Sequence, residues 1–258
     1  MAVSSSASST ELPQITGTRP TPVPVAASPE LLEELAAASA LLDGASPVKI
    51  ITWAVEKYFP KLTMATAFGP EGCVIIHMLA QIEPRTHVFN LDTGYQFPET
   101  LKLRDRIARR YGLEVEMRQP ATTVAEYERL HDGPLYQSNP DQCCFDRKVT
   151  ILRQSVVGWN AWMSGIRRDQ SSDRAGVPIV AWDKKFGLVK ISPLANWTKK
   201  DVWKLISDHD IPYNPLHDQG YTSIGCWPCT RAVMFGEDER AGRWSGKAKT
   251  ECGLHTKD

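Results

Sequence analysis

The chain has 258 residues, of which 42% are hydrophobic and 23% are charged, and these proportions are typical of a globular protein with a sizeable core. Its 30 basic residues equal its 30 acidic residues, so bulk charge gives no reason to expect a nucleic-acid or membrane partner. Six cysteines are too sparse for a disulfide-stapled secreted scaffold, and no run approaches the ~20 apolar residues of a membrane span. The composition therefore predicts a cytoplasmic protein that keeps its thiols for a metal or for catalysis.

The predicted structure begins after an N-terminal leader. Residues 1–27 are rich in Ser, Thr, Ala and Pro and have no apolar period, which predicts a disordered segment. Ser28-Pro29 and Ser46-Pro47 each combine a serine N-cap with a proline at the first helical position, so they predict the first two helices. Strands and helices then alternate. The predicted strands cover 62–67, 86–91, 113–117, 159–164, 177–182 and 188–191, the last two as a hairpin, and the predicted helices cover 74–82, 98–111, a segment opened by Thr123, 145–157 and 198–208.

This alternation predicts an α/β fold with a mostly parallel sheet flanked by helices. In such sheets, ligands bind beyond the carboxyl ends of the strands. The loops at 68–72, 92–94 and 165–174 all follow predicted strands, so we expect them to meet at one edge of the sheet. We assign residues 28–235 to this domain and residues 236–258 to a mobile C-terminal tail.

Four cysteines form a pattern that favours an inorganic cofactor. Cys143 and Cys144 are adjacent, and Cys226 and Cys229 form a Cys-x-x-Cys pair. A structural zinc ion usually takes two spaced cysteine pairs, and adjacent cysteines are awkward for one tetrahedral ion. An iron–sulfur cubane spreads its iron atoms over several ångströms and accepts adjacent thiolates more easily. The spacing therefore favours a cluster and leaves zinc open.

A fifth cysteine, Cys252, lies near the end of the chain in the segment 251–255. Terminal segments are commonly mobile, and Gly253 permits a sharp bend. An exposed thiol on such a segment has no packing role, so we predict a nucleophile delivered by a catalytic tail, with its thiolate favoured by nearby cations. Cys73 opens an apolar helix and is predicted to be a core residue.

Basic residues concentrate near the cysteines and the tail, although the whole chain is neutral. Arginine forks match the oxygens of phosphate and sulfate groups in a bidentate manner. Together with a thiol nucleophile, these cations predict an anionic substrate that bears phosphate or sulfate. The residues are Arg147, Lys148, Arg167, Arg168, Arg174, Arg231, Arg240 and Arg243.

Four motifs stand out when these residues are read in their local sequence. They are Cys143-Cys144-x-x-Arg147-Lys148-Val149, Gly165-x-Arg167-Arg168-Asp169-Gln170-Ser171, Gly220-Tyr221-x-Ser223-Ile224-Gly225-Cys226-x-Pro228-Cys229-Thr230-Arg231 and Glu251-Cys252-Gly253-Leu254-His255. Together they resemble the motifs of the assimilatory adenylyl-sulfate (APS) reductases, within the wider APS/PAPS reductase family. Leu91-Asp92-Thr93-Gly94 also fits, and the resemblance covers roughly residues 45–258.

The resemblance implies a fold, a cofactor and a set of site residues. The fold is that of the adenine-nucleotide α-hydrolases, and the cofactor is a 4Fe–4S cluster. Catalysis falls to Cys252, and the loops at Phe68-Gly69 and Leu91-Asp92 hold the adenosine. The implied cluster ligands are Cys143, Cys144, Cys226 and Cys229, and the residues implied to face the phosphosulfate are Lys148, Arg174, Arg240 and Arg243.

The implied activity is the reduction of adenosine 5′-phosphosulfate to sulfite and AMP in assimilatory sulfate reduction. It passes through an enzyme S-sulfocysteine and uses thioredoxin, or a glutaredoxin-type dithiol, as the electron donor. Three alternatives stay open: a reductase of the 3′-phosphorylated substrate PAPS or of both substrates, an ATP-pyrophosphatase-type ligase or thiolase, and a zinc-stabilised nucleotide-binding module. The segment between Thr66 and Cys73 lacks the Ser-Gly-Gly-x-Asp-Ser loop of the ligases. The sequence leaves open whether the chain forms a homo-oligomer.

Overall fold

The computed structural model describes residues 23–255. Most of the predicted leader therefore lies outside the described residues. Its last part, residues 23–27, contains no helix or strand, and the backbone of Pro24 and Val25 lies directly against Gly187. Among residues 23–255, no helix is long and apolar enough to cross a membrane.

Helices and strands alternate along most of the described chain. The helices are α1 (Pro29–Leu42), α2 (Pro47–Tyr58), α3 (Pro70–Ile82), α4 (Pro98–Tyr111), α5 (Val124–Leu130), α6 (Leu135–Ser138), α7 (Pro140–Cys144), α8 (Thr150–Ser155) and α9 (Lys199–Asp208). The strands are β1 (Leu62–Thr66), β2 (His87–Leu91), β3 (Val115–Arg118), β4 (Ala161–Met163), β5 (Val180–Asp183) and β6 (Leu188–Ile191). Short 3-10 turns cover Arg168–Gln170, Ser172–Arg174, Pro215–Gln219 and Trp227–Cys229, and a π turn covers Phe145–Val149.

The strands form one sheet in the order β3-β2-β1-β4-β6-β5. All neighbouring pairs are parallel except β5 and β6, which are antiparallel. The predicted hairpin is therefore confirmed, and so is the mostly parallel α/β fold. Strand β1 lies inside the sheet, with Thr63 opposite His87 on one side and Leu62 opposite Ala161 on the other.

Helices cover both faces of the sheet. Successive residues of a strand point to opposite faces, and the buried neighbours Val88 and Phe89 accordingly belong to two different apolar groups. The same holds for Trp162 and Met163 in β4. A parallel sheet needs this double cover because its strands are apolar on both sides. This cover leaves the carboxyl edge of the sheet, where the loops emerge, as the place for a ligand.

The helix that carries the double cysteine begins earlier than the predicted start at residue 145. Asn139 accepts a hydrogen bond from the backbone N–H of Gln142 (3.1 Å), and Pro140 occupies the first helical position. This cap places both cysteines inside a continuous run from α7 through the π turn to α8. A single π turn inside a helix is frequent at functional sites. It brings the buried Arg147 and the partly buried Lys148 beside the cysteines.

Candidate active site

A cavity of about 250 Å³ opens at the carboxyl edge of the sheet. The three predicted loops meet there, since Gly69, Thr93 and Gly165 all line it. The first and third loops touch: a Cβ atom added at Gly165 would lie 2.8 Å from the Cβ of Glu71. Glycine at this position therefore lets the two loops approach closely. The Glu71 carboxylate then accepts a hydrogen bond from Arg167 Nε (2.9 Å), which fixes the loops to each other.

The cations that line this cavity form what we call its basic wall, and the tail cysteine lines the same cavity. Cys252 lines it, and so does His255. The residues predicted to face an anion also line this cavity, namely Lys148, Arg174, Arg240 and Arg243. The structure thus brings the predicted nucleophile and all four predicted cations to one place, beyond the strand ends that a nucleotide would use.

Lys148 stands between the tail thiol and the other cysteines. Burial by itself lowers the pKa of a lysine, but negative charge on Cys226, Cys252 and Cys144 raises the pKa of Lys148 above its ordinary value. The ammonium group is therefore charged at neutral pH. It can offer its positive charge to an anion in the cavity and to thiolates on its other side.

Arg243 is held by its neighbours on the same segment. Its guanidinium lies 4.4 Å from the ring centroid of Trp244, within the range of a cation–π contact. Gly225 faces the guanidinium so closely that an added Cβ would lie 2.2 Å from Nη2. Among the described residues, Arg243 Nε has no hydrogen-bond partner although it is buried. A buried donor of this kind is suited to an oxygen acceptor on a ligand.

The four predicted metal ligands line one smaller cavity next to Lys148 and Arg243. Cys226 is held in place by Thr93, whose Oγ1 lies 3.3 Å from Sγ, and by a backbone bridge to Gln96. Burial would raise the pKa of the Cys226 thiol, but the Lys148 charge, the Thr93 hydrogen bond and Arg243 together lower it.

The other three thiols of this cavity have raised pKa values. Burial, with the neighbouring thiols, raises the pKa of Cys143 to about 12 and that of Cys229 to about 11. Burial also raises the pKa of Cys144, against the opposing charge of Lys148. Metal ligation by cysteine requires thiolates, so a bound metal would have to displace these protons.

The donor set fits an iron–sulfur cluster. Four thiols from two distant parts of the chain converge on one buried cavity, and none of the six cysteines is in a disulfide. Arg147 lines the same cavity and leaves its Nη1 buried without a partner among residues 23–255. Such a donor can face the sulfur atoms of an anionic cluster. Within that same range, no three His, Cys, Asp or Glu side chains are grouped in a way that could hold a single metal ion.

The described part of the tail, residues 236–255, is docked on the domain. Lys247 Nζ donates to the carbonyl of Gln137 (2.7 Å), and Lys249 pairs with Asp141, so the tail runs alongside α7. The Glu251 carboxylate then enters the basic wall. It accepts two hydrogen bonds from Arg174, from Nε and Nη2, both 2.9 Å.

Beyond Cys252, the tail packs against the sheet. Lys185 Nζ donates to the carbonyl of Gly253 (2.5 Å), and the ring of His255 is stacked on Trp162 with an interplanar angle of 9°. Burial, reinforced by the nearby Lys190 charge, holds the pKa of His255 well below its usual value. The neutral ring can accept a hydrogen bond at Nδ1 from Lys190 Nζ, 3.1 Å away. In this docked position His255 contacts Lys190 and Trp162, and both belong to the central sheet.

Not every residue that the sequence singled out lines the cavity. Phe68 is buried in the core with a φ of 55° and does not line the cavity, whereas Gly69 and Leu91 do. Asp92 caps its own turn through the N–H of Gly94 and accepts from Gln119. Cys73 is fully buried in the core, as predicted.

Three of the predicted basic residues are taken up by structural contacts. Arg167 pairs with Glu71 and Asp169, and Arg168 donates to the carbonyl of Val177. Arg231 pairs with Glu237. These contacts hold loops together, and the three arginines do not line the cavity.

The residue that sequence reasoning missed is Glu251. It stands beside the nucleophile in its motif, which is the only signal the sequence offers. Its partner Arg174 lies 77 positions earlier in the chain, and no local spacing connects them.

Gly242 keeps two of the cavity cations in place, because it lies between Arg240 and Arg243 and its carbonyl accepts from the N–H of Arg231 (2.9 Å). A Cβ there would lie 2.3 Å from the Arg231 carbonyl oxygen, and backbone cannot move aside as easily as a side chain. We expect Gly242→Ala to lower the free energy of unfolding by ~1–3 kcal/mol, measured by urea denaturation. Gly176→Ala is the matched control, since a Cβ at Gly176 meets nothing within 4 Å. Equal midpoints for the two variants would contradict this packing.

Comparison with known proteins agrees with this geometry. Residues 61–232 match the phosphoadenosine phosphosulfate reductase domain. A phosphoadenosine 5′-phosphosulfate reductase of Gloeobacter violaceus is 47% identical over 81% of this chain and 88% of its own length. An adenosine 5′-phosphosulfate reductase of Salinibacter ruber is 46% identical over 89% of this chain and 92% of its own length.

Solved structures give the same result. The crystal structure of a phosphoadenylyl-sulfate reductase from Candida auris, as a phosphate complex, matches with a TM-score of 0.70 and 31% identity, and covers 81% of this chain and 100% of that one. An FMN adenylyltransferase of Candida glabrata shares the fold alone, at 16% identity and a TM-score of 0.51 over 78% of this chain and 73% of that one. The extent of the domain match and the identity to these relatives show that the chain belongs to the phosphoadenosine phosphosulfate reductase family.

Proposed function

We propose that this protein reduces adenosine 5′-phosphosulfate to sulfite and AMP, with Cys252 as the nucleophile. The observation that carries the proposal is that Cys252 lines the same cavity as the strand-end loops and four cations. A nucleotide at the strand ends would extend its phosphosulfate toward the basic wall. The tail thiol is then the only cysteine of the described chain, apart from the proposed cluster ligand Cys226, that lines this cavity.

The first step is an attack of the Cys252 thiolate on the sulfur atom of the substrate. A bond forms between the two sulfur atoms, and the bond from sulfur to the bridging oxygen breaks, so AMP leaves with that oxygen. Negative charge gathers on the phosphate as AMP departs. Lys148, Arg240 and Arg243 line the cavity and would neutralise this charge. Loss of one comparable donor costs ~10²–10³ in rate in other enzymes.

The second step returns the enzyme to its thiol form. One thiol of a dithiol donor of the thioredoxin or glutaredoxin kind attacks Cys252 Sγ and releases sulfite, which leaves a mixed disulfide. The second thiol of the donor then displaces Cys252 and closes the donor's own disulfide. The donor loses two electrons and the substrate sulfur gains them. The docked tail lines the cavity, so a protein donor can reach Cys252 only after the tail has left it. A mobile tail is therefore part of the proposal.

The cofactor in this proposal is a 4Fe–4S cluster on Cys143, Cys144, Cys226 and Cys229. The convergence of four thiols beside Arg147 and Lys148 supports it. Bound there, a cluster would supply fixed charge next to Lys148 and so tune the electrostatics of the anion site. Lys148 itself would hold its ammonium group between the cluster ligands and the substrate.

The choice of substrate tests the proposal directly. We expect turnover of adenosine 5′-phosphosulfate with thioredoxin on anaerobically purified protein, measured as kcat/KM for sulfite release. The 3′-phosphorylated substrate is the second candidate, since the relative from Gloeobacter violaceus carries that name at 47% identity. We expect it to react less well. A higher kcat/KM for the 3′-phosphorylated substrate would reverse the order, and turnover of neither would refute the function.

The nucleophile is tested by a single substitution. We expect Cys252→Ser to abolish sulfite release and to keep the iron content, because Cys252 is not among the four proposed ligands. Mass spectrometry of the protein after mixing with substrate, without a dithiol donor, should show a sulfo-adduct in the wild type and none in the variant. A trapped adduct in Cys252→Ser would assign the chemistry to another cysteine.

The ligand set is tested by iron and acid-labile sulfide analysis together with the visible absorption that a cluster gives. We expect Cys226→Ala to lose iron, because three thiolates cannot complete the four-cysteine set. Cys73→Ala is the matched control: this thiol is also buried, but it packs in the core away from the other cysteines. Full iron retention in Cys226→Ala, or zinc in the wild-type protein, would overturn the assignment.

A further inference from the structure

A glutamine that follows strand β2 has an unused oxygen beside the strand-end cavity. Gln96 lines this cavity together with Leu91. Its Nε2 donates to Asn90 Oδ1 (2.8 Å) and to the carbonyl oxygen of Leu91 (3.0 Å). Its Oε1 is buried and has no hydrogen-bond partner among residues 23–255. Because a buried acceptor without a partner is costly, this oxygen is suited to a donor on a ligand.

The orientation of the Gln96 amide follows from its neighbours. Asn90 is fully buried near the end of β2, and its Nδ2 donates to the carbonyl oxygen of Thr66 in β1 (2.7 Å). A carbonyl can only accept, so the Asn90 oxygen must be the atom that faces Gln96. Both groups next to the Gln96 nitrogen, the Asn90 oxygen and the Leu91 carbonyl, are therefore acceptors. Reversing the amide would set oxygen against oxygen, so Oε1 is fixed as the free acceptor.

This oxygen lies next to the apolar part of the cavity. The side chains of Leu91 and Ala65 pack on the apolar group that contains Phe89 and Leu152. Leu91, Ala65 and Leu152 all line the cavity. An apolar surface with one fixed polar atom at its edge is the usual way in which a pocket orients a small ligand. It suits a nucleobase, whose flat faces are apolar and whose polar groups lie at its rim.

A second unpartnered atom of the cavity matches the sugar. Ser164 follows β4, is only 2% exposed and lines the cavity, and its Oγ has no partner within the described part of the chain. A serine hydroxyl both donates and accepts, as a ribose hydroxyl does, whereas a glutamine oxygen can only accept. Strand β1 lies between β2 and β4, so Gln96 and Ser164 follow strands on either side of it. Gln96 is thus the residue that matches a ligand group that donates.

We propose that Gln96 selects the base of the nucleotide, with its Oε1 accepting a hydrogen bond from the exocyclic amine of adenine. The inference rests on the proposed function, since it takes the ligand to be an adenine nucleotide. In guanine and hypoxanthine, a carbonyl oxygen replaces this amine at the same ring position. Two acceptors would then face each other away from water, so the cavity would reject those bases. Gln96 takes no part in the sulfur chemistry in this scheme.

The experiment measures the dissociation constants of three nucleotides by isothermal titration calorimetry. AMP carries the amine, purine riboside 5′-monophosphate carries a hydrogen atom in its place, and IMP carries the carbonyl oxygen. All three share the ribose and the phosphate, so the basic wall contributes equally to their binding. The full-length protein is used, purified anaerobically with its metal content intact.

In the wild type we expect AMP to bind at least about tenfold more tightly than IMP, with purine riboside 5′-monophosphate between them. This is the size expected when a buried acceptor loses its only partner. In Gln96→Leu we expect AMP to bind more weakly, and IMP to bind as in the wild type or more tightly. The ratio of the two dissociation constants should therefore fall toward one.

Gln119→Leu is the matched control. Gln119 also follows a strand at this edge of the sheet, and its Nε2 donates to Asp92 (2.8 Å) in the loop after β2. It is exposed, however, and does not line the cavity. This variant should keep the wild-type preference for AMP. The wild-type series of three nucleotides keeps the inference testable if Gln96→Leu fails to fold.

Three results would overturn the inference: a wild-type protein that binds IMP as tightly as AMP, a Gln96→Leu variant that retains the wild-type ratio, and a Gln96→Leu variant that binds all three nucleotides more weakly by the same factor. None of these measurements requires turnover. A protein that prefers AMP as expected but does not reduce adenosine 5′-phosphosulfate would refute the proposed function and leave the base selection standing. Reduction of that substrate by a protein that does not distinguish AMP from IMP would do the opposite.

Discussion

Buried positive charge is the constraint on which this structure depends. A cation that loses water must find oxygen or sulfur acceptors, or its burial costs several kcal/mol. Arg147 meets the carbonyl of Thr93, Arg167 meets Glu71, and Arg174 meets Glu251. Each contact joins parts of the chain that are distant in sequence. These buried guanidinium groups thus hold the loops, the cysteine helix and the tail of the site together.

The constraint also explains why the two sulfur-containing parts of the site lie side by side. Lys148 follows the double cysteine within a π turn and lines both the cavity of the four thiols and the cavity of the tail thiol. The thiols that would bind metal and the thiol that would attack the substrate therefore share one positive charge. A change in charge at either group alters the electrostatic environment of the other, and this coupling requires no movement of the backbone.

The tail adds a carboxylate to this system. Docked, it supplies Glu251 as the counter-charge of Arg174 and Arg240 and presents Cys252 to the cavity. The side chains of Glu251 and Arg174 are only 7% and 9% exposed, so this is a buried ion pair. It holds the tail at the cavity next to Cys252.

Local sequence patterns were sufficient for much of the fold and for part of the site. Serine caps, the alternation of apolar strands with helices, and the hairpin spacing predicted the elements, because these are short-range effects of backbone sterics and side-chain polarity. The helix of the double cysteine begins at Pro140, earlier than predicted, because the Asn139 side chain caps it there. Parallel strand order also implied that the loops after β1, β2 and β4 would meet at one edge. Four motifs, together with the family that they resemble, indicated the thiols and cations that line the two cavities.

The sequence by itself determined the residue types of this site: four clustered thiols and one thiol on the tail, with several arginines near them. Only the tertiary structure decided which cations face an anion and which are taken up by carboxylates. In the sequence, Arg167 and Arg174 are both candidates for binding an anion. In the structure, Arg167 pairs with Glu71 and Asp169, and Arg174 pairs with the tail carboxylate. The physical reason is that an ion pair depends on distance in space. Contacts between residues separated by 96 and 77 positions leave no periodic trace in the sequence.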